Sequence, residues 1–157
     1  METEKQPWIA EFYEKEKTSA DSDEVCRETE EVSGFLCRSF EAYVESLNKE
    51  YGQHAISVLS LPPVFMHVVF DTEPKTPGFL IFFGTSKLIM ALCGRENAVT
   101  FVGREIDSGS QKPKKNLKLL GVTWEERKNG GYLFRDSTGV EIKIRELMLR
   151  ITRWGAS

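Results

Sequence analysis

The feature that most constrains this chain is a change in its hydrophobic period. Up to residue 51 apolar side chains recur every three or four positions, and from Ala55 onward they fall into short runs broken by turn residues. Val25, Val32, Phe35, Leu36, Phe40, Tyr43, Val44, Leu47 and Tyr51 make one helical stripe, while Glu24, Glu28, Glu31, Glu41 and Glu45 occupy much of the opposite side. The spacing predicts one long amphipathic helix, acidic in its first turn where carboxylates suit the helix dipole, and stopped at Gly52. Gly34 lies inside it, at a cost of about 1 kcal/mol relative to Ala.

After Gly52 the runs Ala55–Leu61, Val64–Asp71, Phe79–Phe83, Lys87–Cys93, Ala98–Glu105, Leu117–Arg127, Tyr132–Arg135 and Val140–Ile144 read as strands. Pro62-Pro63, Pro74 to Gly78, Asn129-Gly130-Gly131 and Asp136 to Gly139 separate them as turns. Phe79–Phe83, apolar throughout, suggests a central strand covered on both faces. No helical stretch interrupts the series, so the strands form an antiparallel meander and not a parallel sheet. Ile144, Leu147, Met148, Ile151 and Trp154 then space like a closing helix ending at Gly155. Leu147, Leu149 and Ile151 would also alternate as a strand, so residues 145–154 carry both patterns, of which we take the helix. The expected fold class is α+β: two N-terminal helices, a meander of about seven strands, and a C-terminal helix covering the sheet. The first of those helices, around Trp8, Ile9, Phe12 and Tyr13, belongs to a flexible lead over residues 1–20, followed by a single domain over residues 21–157.

With 157 residues, 40% of them apolar, the chain can bury a sizeable core without disulfides or metal. Three cysteines, Cys26, Cys37 and Cys93, lack CxxC spacing, and the acidic N-terminus lacks the features of an export signal. No apolar run reaches the ~20 residues of a spanning helix. These features lead to the expectation of a cytoplasmic protein with reduced thiols and no membrane contact. Charge is unevenly placed: residues 1–50 carry six Lys/Arg against fourteen Asp/Glu, and residues 111–157 carry eleven against five. Such asymmetry can mark an interaction surface, or two ends that neutralise each other.

Catalytic patterns are absent. No nucleophile elbow, zinc-protease helix or phosphate-binding loop occurs, and Gly84-Thr85-Ser86-Lys87 reads as a hairpin turn. No cofactor or metal is implied, because no ligand cluster is visible. The first functional reading is therefore a non-enzymatic protein-binding or adaptor domain with a protein partner or as a homodimer. A second is a pocket between sheet and helices for a small apolar ligand, or an enzyme built on one. It would be lined by Phe65, His67, Phe82, Phe101 and Trp124, and it competes with the reading that these residues fill the core. A third, weaker reading is nucleic-acid binding through Lys112, Lys114, Lys115 and Lys118, with Trp124, Tyr132 and Phe134 as stacking surfaces if exposed.

Overall fold

A computed structural model of the chain describes residues 23–63, 66–67, 76–94, 96–106 and 116–157, with the side chains of residues 23–27 left aside. The expected helix near residues 7–13 lies outside them. The long stripe forms helix α1, Asp23–Tyr51, whose buried residues Val32, Leu36, Phe40 and Val44 follow the predicted spacing. It ends as predicted: Gly52 takes φ +66°, a left-handed conformation that glycine adopts without strain, and the Gln53 N–H bonds the Asn48 carbonyl at 3.1 Å.

Seven strands follow: β1 Ile56–Ser60, β2 Gly78–Phe83, β3 Lys87–Cys93, β4 Ala98–Glu105, β5 Leu117–Glu126, β6 Tyr132–Arg135 and β7 Glu141–Ile142. They pair in chain order, all antiparallel, as the absence of intervening helices predicts. Register fixes which side chains share a face. Ser60, Phe79, Ala91 and Phe101 stand side by side, and so do Val58, Ile81 and Ile89. This face meets α1, where Phe40 packs its ring 5.7 Å from Phe79 and 6.0 Å from Phe101. Helix α2, Ile144–Ala156, adds Leu147, Met148 and Ile151 to the same core.

Two close approaches seat α2. The Trp154 ring lies on Gly103, where a Cβ would collide with it, and Gly155 lies against the Phe83 ring in the same way. Lys87 then reaches the end of the helix. Its Nζ donates to the Trp154 carbonyl at 3.0 Å and to the Ser157 carbonyl at 2.7 Å, and it sits 4.8 Å from the Trp154 ring centroid.

The opposite face of the sheet holds a second, smaller cluster. Leu80, Leu88 and Met90 are buried there with Met66, and Leu61, Phe82, Leu92 and Val102 pack around them. Phe79–Phe83 is thus covered on both faces as expected, although β2 stands next to the sheet edge and not at its centre. One strand expectation is corrected. Within Val64–Asp71 the described residues Met66 and His67 are helical, and the Met66 N–H bonds the Pro62 carbonyl at 3.2 Å. A proline pair suits a first helical turn, and a short apolar run has no period that excludes one. No described helix is long and apolar enough to cross a membrane.

Candidate protein-binding edge

A meander sheet has two edges, and β1 is one of them. The phase of its hydrogen bonds follows from one contact: the Gly84 N–H donates to the Ala55 carbonyl at 2.7 Å. Antiparallel pairing alternates, so Ala55, Ser57 and Leu59 turn their peptide groups toward β2. Ile56, Val58 and Ser60 turn theirs toward the free edge. Asn48 confirms this phase. Its Nδ2 donates to the Ile56 carbonyl at 2.8 Å, and its Oδ1 accepts the Ile56 N–H at 3.4 Å. A side-chain amide from α1 thus occupies the place of a neighbouring strand at Ile56. Val58 and Ser60 have no such partner among the described residues.

The strand itself, Ile-Ser-Val-Leu-Ser, carries neither charge nor proline, and Leu59 is 46% exposed. Two hollows flank it along the seam with α1. The first, about 590 Å³, is bounded by Glu41, Val44, Glu45, Lys49, His54 and Val58. The second, about 400 Å³, lies between Glu30, Ser33 and Cys37 on α1 and Ser60 at the end of β1 with Leu61 and Pro62 after it. A third hollow of about 620 Å³ adjoins the second at Glu30 and Gly34 and lies between α1 and the β5–β6 hairpin, with Glu31, Arg38 and Tyr132 on its walls. Burial, then Glu31 and Glu126, raises the Tyr132 hydroxyl above its ordinary pKa.

Neither described thiol is set up for chemistry at neutral pH. Burial, reinforced by a 3.4 Å bond from the thiol to Glu41, pushes Cys37 up to about 12. Burial likewise pushes Cys93 up to about 12, against a smaller opposing hydrogen bond from Ser33. No group of three or more His, Cys, Asp or Glu among the described residues could hold a metal ion.

The residues grouped from sequence as a pocket separate in space. Phe101, fully buried, and Trp124, 3% exposed, belong to the core beneath α1 and α2. Phe82 stands on the other face of the sheet, in the cluster that holds Met66. His67 is half-buried in the helical segment beside Met66, and Phe65 lies outside the described residues. Of the basic set, Lys112, Lys114 and Lys115 also lie outside them, while Lys118 is exposed on β5. The aromatic side chains near these charges face inward. Trp124 and Phe134 are buried, and the Tyr132 ring packs edge-on to Trp124 at 5.6 Å and against Phe35 at 5.1 Å. Trp124 Nε1 is buried without a hydrogen-bond partner among the described residues.

Asn48 and the β1 edge were not singled out by the sequence. The available signal was positional, since the first strand of a meander ends at an edge and this one lacks the lysine or proline that usually blunts edges. No family model, curated protein or solved structure matches this chain.

Proposed function

We propose that this domain is a protein-binding module that receives an extended segment of a partner as an added strand beside β1. One observation carries the reading: among the described residues, the N–H and C=O groups of Val58 and Ser60 face the sheet edge without a partner, on a strand without charge or proline. Main-chain hydrogen bonds to such an edge supply affinity in strand addition, and neighbouring hollows that accept alternate side chains supply selectivity. Both ingredients lie on the same seam. The buried thiols with pKa values near 12 also favour binding over covalent chemistry.

The test is a selection of extended peptides from a random display library, followed by amide hydrogen exchange with the best binder. Exchange at Val58 and Ser60 should slow, and Val58→Pro, which deletes one outward N–H, should abolish binding while the circular dichroism spectrum stays native. Binding that persists undiminished in Val58→Pro, or protection confined to another surface, would rule the reading out.

A further inference from the structure

The seam beside β1 is acidic, and its acidity selects among occupants. Glu41 and Glu45 line the first hollow with Lys49 and His54, and Glu30 lines the second, with Arg38 close by over Gly34. Three carboxylates thus stand against two fixed cations among the described residues of the seam. Glu30, Glu41 and Glu45 are all exposed, and the hollows they line border β1 at Val58 and Ser60.

We infer that the occupant of the β1 edge is a basic extended segment, with lysine or arginine at two positions on the side that faces α1. The inference rests on the strand-addition reading above and adds the chemistry of the partner. Eleven residues separate Glu30 from Glu41, about 16 Å along the helix at ~1.5 Å per residue. A strand advances ~3.4 Å per residue and returns to the same face every second residue. Two basic residues four or six positions apart would therefore reach the two hollows together.

Charge also argues against a second copy of this chain. Edge-to-edge pairing of two β1 strands in one continuous sheet, related by a twofold axis, would set the two α1 helices on the same face as neighbours. Glu41 and Glu45 of one copy would then approach those of the other, and like charges so placed disfavour the pairing. A lysine-bearing segment gains where the second copy loses.

The experiment uses three short labelled peptides that alternate threonine with valine and differ only at two positions four residues apart: lysine, glutamine or glutamate. The lysine peptide should bind about tenfold more tightly than the glutamine peptide, as two partly exposed ion pairs allow, and the glutamate peptide should bind most weakly. Glu30→Lys combined with Glu45→Lys should invert that order. Glu41 is left in place because it holds the Cys37 thiol. Amide exchange at Val58 and Ser60 reports where each peptide sits. Equal binding of all three peptides at β1 would overturn the basic occupant and leave strand addition standing. No effect at Val58 and Ser60 from any peptide would overturn strand addition itself. Dimerisation of the unliganded protein that Val58→Pro removes would assign the edge to a second copy, against the inference.

Discussion

The two edges of this sheet are finished in opposite ways. At one end β7 is two residues long, and its exposed Glu141 is held 2.9 Å from Arg127, just past the end of β5. The chain leaves it at once through Lys143 into α2. Its hairpin is fastened by Asp136, whose carboxylate accepts the N–H groups of Thr138 and Val140 and the Thr138 hydroxyl. At the other end β1 runs for five uncharged residues, and one side-chain amide attends to one of its three outward positions. Proteins usually blunt exposed edges by brevity, charge or cover, and β7 shows the first two devices. Among the described residues β1 carries no charge and is covered only at Ile56, which is the contrast on which the strand-addition proposal rests.

The comparison breaks most sharply at two adjacent prolines. Ser57→Pro removes an N–H that points into the β1–β2 ladder and strands its partner carbonyl on Phe82. It should cost about 2–3 kcal/mol in urea unfolding, whereas Val58→Pro should cost about 1 kcal/mol or less because its N–H points outward. Equal costs would mean that the phase assigned to β1 is wrong.

A smaller effect is expected at the one outward position already filled. Asn48→Ala deletes both bonds to Ile56 and should lower stability by about 1 kcal/mol, with amide exchange at Ile56 rising to the level of Val58. An unchanged exchange rate would show that Asn48 does not shield the edge.

The smallest effect concerns the blunt end and acid. Hydrogen bonds, that of the Thr138 hydroxyl first, hold the Asp136 carboxyl below its ordinary value of 3.8. Folding therefore keeps it ionised where the unfolded chain would take up a proton. Its contribution is complete above that ordinary value and is lost as pH falls through the lower folded one. Amide exchange at Thr138 and Val140 should accelerate over that window in the wild type and be flatter with pH in Asp136→Asn. Parallel profiles for the two proteins would remove Asp136 from the account.

Much of this architecture was legible because it rests on periodicity and turn chemistry. The stripe from Val32 to Val44 became the buried side of α1, and Gly130, Gly131 and Gly139 adopt the positive φ that their hairpins require. The ambiguous segment resolved as a helix for a reason visible in burial. Leu147, Met148 and Ile151 are buried, whereas Leu149, which a strand would place with Leu147 and Ile151, is 48% exposed. Met66 and His67 escaped because a short apolar run after two prolines fits a strand and a helical turn equally well. The grouping of Phe82 with Phe101 failed for a different reason. Both are large and apolar, but only register decides which face a strand residue takes, and register put them on opposite faces. Asn48 was illegible altogether. A polar residue near the end of an acidic helix looks solvated until the neighbouring strand is in place.

Asn48 also works as a ruler. By standing in for a peptide group at Ile56, it would set, under the strand-addition proposal, a zero mark from which an arriving strand counts. At the far end Pro62 has no N–H to offer, so the scale stops there as well. Among the described residues, only the rungs at Val58 and Ser60 lack a partner. Under the strand-addition proposal, a window so short would fix the reading frame of a guest while holding it loosely. The same two stops keep the edge too short to template an endless sheet.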